Sequence, residues 1–236
     1  MESKTWLIDV GNSTTQYLAL TPESDNGVVS LSTDELTPEL IQERFHDSCC
    51  YVSTVVPKVI PWFDSVSSST IYFANHETVP FLTVNLDKPE ELGADRLINA
   101  LGAYKTYGSP CLIIDSGTAL TCCYVDAQGV YQGGSIFPGM RICSKSLHEK
   151  TAKLPLVWVE PTSVLHGKTT KEAIEIGLYE GFLGALKHMI QRYRQDVAGI
   201  KVIGTGQGLG VFVDHLDMDV YDEQLIFKGL EIWSKL

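Results

Sequence analysis

The feature that most constrains the fold is a motif that occurs twice: an aliphatic run, an Asp, one spacer, a Gly and then small polar residues. The first copy spans residues 7–15 and the second spans 113–121. This pattern indicates a strand that leaves a buried core and enters a tight turn, where Gly11 or Gly117 brings backbone N–H groups close to an anion. A single Asp-x-Gly is typical of an ordinary structural turn. Two copies predict duplicated domains that hold a nucleoside triphosphate between two phosphate-binding hairpins.

The two motif aspartates, Asp9 and Asp115, end the apolar runs. An ionised carboxylate only accepts hydrogen bonds, so beside bound phosphates it requires a cation. Carboxylate oxygens are also the ligands that hard cations such as Mg²⁺ prefer. We therefore expect both aspartates to lie near a metal ion.

Composition restricts the class of ligand. The chain has 236 residues, of which 44% are hydrophobic, and this suffices for one large domain or two small ones with a sizeable core. A net charge of −11 argues against general binding to nucleic acid or to an anionic membrane, because both require a basic surface. We therefore expect a small-molecule ligand.

The cysteines and the N-terminus indicate the compartment. The six cysteines form no Cys-x-x-Cys pair, so the sequence indicates neither a zinc site nor a disulfide framework, and we expect small buried residues. The N-terminus enters an apolar strand without a signal-peptide core, and no apolar run reaches membrane-spanning length. These features predict a cytoplasmic protein.

Strands and helices alternate in the first half of the chain. Residues 6–20 are predicted to form a hairpin, and Thr37 followed by Pro38 is typical of a helix start. The other predicted elements are a turn at 21–27, a helix from 38 to 45, strands at 49–56, 71–74 and 80–84, and a helix that ends near 108. We place the boundary at 108–110, which predicts domains of 1–108 and 109–236.

The second half is predicted to mirror the first. Its elements are strands at 111–115 and 122–125, a turn at 126–129, a helix at 138–150 with Pro138 in its first turn, a long helix at 170–194, a strand at 202–206 and a helix at 225–233. The long helix places on one face the apolar residues Ile174, Leu178, Phe182, Ala185 and Met189.

Three glycines, Gly177, Gly181 and Gly184, lie inside this long helix. Each costs the helix about 0.8–1 kcal/mol relative to Ala. They suggest a close approach by another backbone or by a partner subunit. The alternative is that they pack against the chain's own sheet.

Seven short motifs, in this order and spacing, resemble those of type III pantothenate kinase, a family of the actin and sugar-kinase superfamily. They are Asp9-x-Gly11-Asn12-Ser13, Gly93-Ala94-Asp95-Arg96, Asp115-x-Gly117-Thr118-Ala119-x-Thr121, Gly133-Gly134-x-Ile136-x-Pro138-Gly139, Thr151-Ala152-x-Leu154-Pro155, Gly167-Lys168-x-Thr170 and Leu225-x-x-x-Gly229-Leu230. The resemblance implies an α/β fold of two duplicated ribonuclease-H-like domains. Each domain would have a mixed five-stranded sheet flanked by helices, with the ATP site in the cleft between them.

The resemblance also implies the activity, which is ATP-dependent phosphorylation of pantothenate to 4'-phosphopantothenate, the first step of coenzyme A biosynthesis. The implied ATP-binding residues are Asp9, Val10, Gly11, Asn12, Ser13, Thr14, Thr15, Gln16 and Thr118. The implied pantothenate-binding residues are Gly93, Ala94, Asp95, Arg96 and Thr170. Mg²⁺ and a monovalent cation, K⁺ or NH₄⁺, would neutralise the triphosphate, with Asp115 at the monovalent cation and Asp9 near Mg²⁺. A homodimer is implied as well, with an interface that helps form the pantothenate pocket and the cation site.

Asp95 matches the proton acceptor of the family. Its position at the start of a predicted helix would keep the carboxylate ionised, because the positive end of the helix dipole favours negative charge. It would then accept the proton of the substrate hydroxyl, and Arg96 would pair with the pantothenate carboxylate or with Asp95. Taken alone, the two residues are more typical of a helix cap and a surface ion pair than of a catalytic site.

The chain departs from the family pattern at three positions. Gln16 stands where many members have a phosphate-directed Lys, Leu86 stands where many have a pantothenate-contacting Tyr, and Gln207 interrupts the usual Thr-Gly-Gly of the adenosine side. These departures bear on phosphate affinity, on one substrate hydrogen bond and on nucleoside selectivity. Two alternative functions follow: a non-catalytic accessory regulator of transcription, and another small-molecule kinase of the superfamily.

Overall fold

The structure is a computed structural model that describes residues 4–20, 27–80 and 82–236. The contacts group the chain into two compact units. The first unit contains the described residues up to Tyr107 together with Gly129–Tyr131 and Gln224–Leu236, and the second contains Gly108–Gln128 and Gln132–Glu223. The domain limits of 1–108 and 109–236 stay a prediction.

The described residues form eleven strands and six α-helices. The strands are β1 (Lys4–Val10), β2 (Thr14–Leu20), β3 (Val29–Ser32), β4 (Ser48–Thr54), β5 (Thr70–Phe73), β6 (Thr83–Val84), β7 (Cys111–Ser116), β8 (Ala119–Val125), β9 (Val130–Pro138), β10 (Lys201–Thr205) and β11 (Val220–Tyr221). The helices are α1 (Pro38–Phe45), α2 (Ile60–Asp64), α3 (Ala94–Tyr107), α4 (Met140–Lys150), α5 (Thr170–Asp196) and α6 (Leu225–Ser234).

The first unit is built on a mixed five-stranded sheet with the order β3-β2-β1-β4-β5. β1, β2 and β3 pair in antiparallel fashion, whereas β4 pairs in parallel with both β1 and β5. The side chains of Ile8, Val10 and Val52 are fully buried in the core of this unit, where Phe45 and Phe63 pack. The predicted hairpin at 6–20 is confirmed. The turn predicted at 21–27 falls, except for Gly27, outside the described residues.

Local signals also place α1 correctly. Thr37 has an extended backbone and its hydroxyl oxygen accepts a hydrogen bond from the backbone N–H of Leu40 at 3.2 Å, while Pro38 is the first helical residue. Such a cap satisfies an N–H group that the helix itself leaves unpaired, and proline at the first position sacrifices no helical hydrogen bond. The predicted start and end of this helix are therefore confirmed.

In the second unit the strands lie in the order β9-β8-β7-β10-β11. Counted along the chain, this is the same third-second-first-fourth-fifth order as in the first sheet. β7 pairs antiparallel with β8 and parallel with β10. The predicted fold class, a duplicated α/β architecture with mixed sheets, is confirmed, but the prediction of five strands holds only for the first sheet, because the second sheet has six. In addition, β6 pairs in parallel with Val130 and Tyr131, which belong to the first unit.

Two details of the second unit differ from the sequence predictions. Pro138 ends β9, and α4 begins only at Met140, because Gly139 stays extended and its N–H donates to the carbonyl oxygen of Thr118 at 3.1 Å. The buried stripe of α5 comprises Ile174, Tyr179, Leu183, Leu186 and Ile190. Four residues of the predicted face, Leu178, Phe182, Ala185 and Met189, are half-buried beside it. Tyr179 takes the inner position because its ring stacks on Phe212, with ring centroids 5.2 Å apart.

The glycines of α5 face open space. A methyl group added at Gly177, Gly181 or Gly184 would meet no described atom within 4 Å. The alternative that they pack against the chain's own sheet is therefore wrong for the described residues.

The close approach of backbones occurs instead between α3 and α6 of the first unit. A methyl group on Gly102 would lie 2.7 Å from the carbonyl oxygen of Leu225, and one on Gly229 would lie 2.7 Å from Cγ2 of Ile98. This approach requires residues without a side chain at both positions.

The remaining composition-based expectations are met in part. Cys50, Cys111, Cys122 and Cys123 are buried free thiols, whereas Cys49 and Cys143 are half-buried. Among the residues that the structure describes, no group of three or more His, Cys, Asp or Glu side chains is placed to hold a metal ion. In the same part of the chain, no helix combines the length and apolar character needed to cross a bilayer.

We predict that Gly229→Ala destabilises the protein by about 1–3 kcal/mol, because the added methyl group overpacks the contact with Ile98. The matched control is Gly27→Ala, where a methyl group meets no atom of the described residues within 4 Å and the change should stay within about 0.5 kcal/mol. Urea unfolding of both variants measures the two free energies. Equal stability of Gly229→Ala and wild type would contradict the proposed packing of α3 on α6.

Candidate functional site

The turn between β1 and β2 is a tight loop with exposed polar residues. The N–H of Gly11 donates to the carbonyl oxygen of Thr14 at 3.0 Å, and a methyl group on Gly11 would lie 3.1 Å from that same oxygen. Asn12, Ser13 and Thr14 are exposed. The turn therefore presents backbone N–H groups and short polar side chains to solvent, as an anion-binding hairpin requires.

Two buried threonines, Thr15 and Thr33, stabilise this turn from its buried side. Thr33 donates from its hydroxyl to the carbonyl oxygen of Gly11 at 2.7 Å, and its N–H donates to the carbonyl oxygen of Ser13 at 3.1 Å. The hydroxyls of Thr33 and Thr15 lie 3.1 Å apart. Thr15 and Val10 are fully buried, so their side chains support the turn and do not face a ligand. The sequence analysis missed Thr33, since no local motif links it to the hairpin.

Asp9 ends β1 as a half-buried carboxylate. The hydroxyl of Ser53 donates to Oδ1 of Asp9 at 2.9 Å, because β1 and β4 are paired so that the two residues are neighbours. Gln16 lies opposite Asp9 in the antiparallel pair and is half-buried. The sequence analysis also missed Ser53. Its position at the carboxyl end of a parallel strand is the available signal, since ligands of α/β sheets bind at those ends.

Asp95 is the second residue of α3 and is half-buried. Its Oδ1 accepts a hydrogen bond from the N–H of Arg96 at 2.7 Å. A methyl group on Gly93 would lie 2.6 Å from Oδ1 of Asp95 and 3.5 Å from Cγ1 of Val55, so the glycine leaves the room that the carboxylate occupies. The N–H of Val55 in turn donates to the carbonyl oxygen of Val10 at 3.3 Å. Val55 thus connects the surroundings of Asp95 with the last residue of β1, where the first hairpin turn begins.

Burial raises the pKa of Asp95 above its ordinary value, although the hydrogen bond from Arg96 and the positive charge of Arg96 act in the opposite direction. We expected the helix terminus to keep this carboxylate ionised, and its charge state at neutral pH stays a prediction. Loss of water around the carboxylate outweighs the helix terminus, because desolvation disfavours the charged form. A raised pKa is typical of a carboxylate that acts as a base near neutral pH.

Arg96 and Ala94 flank Asp95 in the first turn of α3. Ala94 is buried and helps anchor the helix start. The guanidinium carbon of Arg96 lies 6.0 Å from the ring centroid of the buried Tyr131. A guanidinium over an aromatic face keeps its N–H groups directed outward in its plane.

The second hairpin turn follows the half-buried Asp115 and is one residue shorter than the first, since β7 ends at Ser116 and β8 begins at Ala119. The N–H of Gly117 donates to the carbonyl oxygen of Ala119 at 2.9 Å, and Gly117 is exposed. Thr118 is half-buried, and its carbonyl oxygen accepts the N–H of Gly139. This turn is thus held by its neighbouring backbone and leaves the Gly117 side open.

The loop at 205–208 lies directly against the Asp115 turn. Gly206 has φ +83° and a methyl group there would lie 2.7 Å from the carbonyl oxygen of Ser116. A methyl group on Gly208 would lie 2.7 Å from Oγ of Ser116. Only glycine fits at both positions, and the sequence analysis did not connect them with Asp115. Gln207 between them is exposed.

Thr170 is the first residue of α5 and is exposed. The preceding Thr169 caps the helix: its hydroxyl oxygen accepts the N–H of Glu172 at 3.2 Å, and the Glu172 carboxylate accepts the N–H of Thr169 at 3.1 Å. The N–H of Lys168 also donates to this carboxylate at 2.7 Å and lowers the pKa of Glu172. Leu86, the other departure near the predicted substrate site, is half-buried.

The carboxylates and the glycine turns described above fit a nucleoside triphosphate that binds together with cations. Mg²⁺ is usually held by one or two carboxylates together with substrate phosphates, not by a cage of protein ligands. Asp9 and Asp115 are single carboxylates, each beside a glycine turn, and the described residues include no cluster of three metal-ligating side chains. Such carboxylates suit a cation that arrives with a phosphate ligand.

Comparison with known proteins places the chain in a family. The family model described as type III pantothenate kinase matches residues 6–192. A type III pantothenate kinase of Persephonella marina is 31% identical over 252 residues, which cover 96% of this chain and 97% of the relative. One from Listeria monocytogenes is 39% identical over 154 residues, which cover 64% of this chain; the match spans only 59% of that relative's length.

Two solved structures share the fold. A protein described as a Baf family transcriptional activator from Campylobacter jejuni has a TM-score of 0.67 at 21% identity, covering 98% of this chain and 97% of its own. A 2-dehydro-3-deoxygalactonokinase protein from Sinorhizobium meliloti has a TM-score of 0.61 at 12% identity, covering 98% and 96%. At these identities the likeness concerns the fold alone. Because the family model matches most of the chain and a full-length relative is 31% identical to it, the chain belongs to the type III pantothenate kinase family.

Proposed function

We propose that this protein transfers the γ-phosphoryl group of ATP to the terminal hydroxyl of pantothenate, the first step toward coenzyme A. The observation that carries the proposal is the match over residues 6–192, which includes both glycine hairpins and the half-buried carboxylate of Asp95. Phosphoryl transfer needs charge neutralisation and orientation more than covalent chemistry, and this site offers both. The alternative of a non-catalytic regulator is not favoured, because such a protein has no need of these carboxylates.

The first hairpin is proposed to bind the phosphates of ATP. Its backbone N–H groups and the exposed Asn12, Ser13 and Thr14 supply the donors, while Val10 and Thr15 act through their support of the turn. Asp9 is proposed to lie near Mg²⁺, with Ser53 fixing its carboxylate. Gln16 supplies no positive charge, so Mg²⁺ and K⁺ carry more of the neutralisation than in members with a Lys there.

The second hairpin is proposed to take the monovalent cation and part of the nucleotide. Asp115 would hold K⁺ or NH₄⁺, and Thr118 would contact ATP. The loop at 205–208 packs against Ser116 and is proposed to flank the adenosine side. Bound cations reduce the negative charge of the triphosphate, which is the chemistry they supply here.

Asp95 is proposed as the proton acceptor. Its half-buried carboxylate orients the substrate hydroxyl and takes its proton during transfer, and Gly93 provides the space. Arg96, beside the backbone of Ala94, is proposed to pair with the pantothenate carboxylate, and Thr170 to contact the same substrate.

We also propose the domain limits 1–108 and 109–236 and a cytoplasmic location.

A homodimer completes the proposal. The exposed glycines of α5 leave its outer face free for a second backbone. Apolar side chains of the same unit are exposed as well, among them Ile142, Leu156, Trp158, Val164 and Leu165. Leu165 is 88% exposed, and several exposed apolar side chains in one unit suit an interaction surface. We propose that the partner helps form the pantothenate pocket and the cation site.

The activity is tested by a coupled assay with ATP, Mg²⁺ and K⁺ across pantothenate, pantetheine and simple sugars. We expect turnover with pantothenate and formation of phosphopantothenate, detected by mass spectrometry. Turnover on a sugar alone would indicate another kinase of the superfamily. Nucleotide binding without any phosphorylated product would favour the accessory regulator.

Asp95→Asn should lower kcat by about 10²–10⁴-fold, the range for a positioned base, while nucleotide binding and the fold persist. Because the pKa of Asp95 is raised, the wild-type kcat/KM should fall, as the pH is lowered, at a pH above the ordinary Asp value of 3.8. The matched variant Asp115→Asn should instead weaken the response to ATP and K⁺, with partial recovery at higher K⁺. Near-normal turnover of Asp95→Asn would rule out the proposed base.

Gly181→Leu should convert the dimer to a monomer, because the added side chain fills the face where a partner backbone would approach. The chain itself has room at this position, since no described atom lies within 4 Å of a Cβ atom placed on Gly181. Light scattering should report 26.0 kDa for the variant and twice that mass for wild type and for a Gly27→Leu control. A monomeric wild type in an active preparation would reject the dimer.

A further inference from the structure

The carbonyl group of Gly206 determines where the loop at 205–208 lies. It accepts hydrogen bonds from the N–H of Leu209 at 3.0 Å and from the hydroxyl of Tyr221 at 3.3 Å. The positive φ of Gly206 and its tight packing on Ser116 leave the loop little room. A change at this carbonyl therefore moves the loop relative to the Asp115 turn.

Tyr221 comes from β11 at the edge of the sheet and reaches this loop with its ring half-buried. Its hydroxyl also lies 3.1 Å from Oε1 of Glu223. A phenol has one proton and can donate it to one acceptor at a time. Gly206 and Glu223 therefore compete for the same hydrogen bond.

The two acceptors are unequal. An ionised carboxylate forms a stronger hydrogen bond than a neutral carbonyl, so Glu223 weakens, without abolishing, the hydrogen bond from Tyr221 to Gly206. Burial, and then the hydrogen bond and charge of Glu223, raise the pKa of Tyr221 to about 12. The hydroxyl thus remains a donor at neutral pH, and its direction is what changes.

We propose that Tyr221 is a positioning residue for the nucleotide, which holds the loop at 205–208 against the Asp115 turn, and that Glu223 opposes it by competing for the hydroxyl proton. The inference rests on the proposed function, in which this loop and Asp115 flank bound ATP. No motif of the sequence analysis includes either residue. A purely structural role for Tyr221, anchoring the short edge strand, would alter stability without altering nucleotide affinity.

The test is calorimetric titration of wild type, Tyr221→Phe and Glu223→Gln with a non-hydrolysable ATP analogue, in the presence of Mg²⁺ and K⁺. Tyr221→Phe loses one hydrogen bond, so it should bind the ATP analogue about twofold to tenfold more weakly than wild type. Glu223→Gln should strengthen binding by about twofold, because a neutral amide oxygen competes less for the proton. Tyr72→Phe is the matched control: Tyr72 is exposed in the first unit, and affinity should not change.

Steady-state kinetics separates positioning from general loss of structure. For Tyr221→Phe, KM for ATP should rise by the same factor as the dissociation constant, while kcat and KM for pantothenate stay at the wild-type values. Unchanged affinity of Tyr221→Phe, or equal weakening by both variants, would overturn the proposal, and an unchanged Glu223→Gln would overturn the competition. Wild type that binds the analogue but leaves pantothenate unphosphorylated contradicts the proposed function alone; wild type that does not bind it contradicts both.

Discussion

The parallel pairing of β1 with β4, which recurs as β7 with β10 in the second unit, is the constraint on which the position of each hairpin aspartate depends. It brings Asp9 beside Ser53 and Asp115 beside Thr205, at the carboxyl ends of the strands. A slip by one residue would turn each aspartate to the opposite face of its sheet. Such a slip would also displace core side chains such as Val52, each of which contributes about 1.5–3 kcal/mol through burial. The hydrophobic pattern of the strands therefore fixes the position of the carboxylates.

Asp95 shows how the same packing sets reactivity. The start of α3 offers a favourable dipole and the N–H of Arg96, which both stabilise a carboxylate. Burial acts against them and is the larger effect, so the pKa of Asp95 is raised. The glycine at position 93 makes this burial compatible with the helix start, because any side chain there would occupy the space of the carboxylate. A base of raised pKa accepts a proton more readily, while its fixed position orients the alcohol.

Local patterns explain what could be predicted from the sequence. The hairpins, the Thr37 cap and the position of Asp95 at a helix start all depend on residues close together in the chain, and the structure has them where they were expected. Thr33 and Ser53 were missed because strand pairing over 22 and 44 positions brings them to Gly11 and Asp9. Helical periodicity likewise misjudged the inner face of α5, because a ring from a distant segment, Phe212, selects Tyr179.

Glycine illustrates the same limit in energetic terms. Gly229 and Gly177 both lie within helices, and helix propensity alone does not distinguish them. At Gly229 a methyl group would collide with Ile98, so the packing of α3 on α6 requires the glycine. At Gly177 the described chain supplies no contact that requires it, although the glycine costs the helix about 0.8–1 kcal/mol. Three such residues on one exposed face lower the stability of α5 without a contact among the described residues that requires them, and the close approach of a partner backbone in the proposed dimer would supply such a contact.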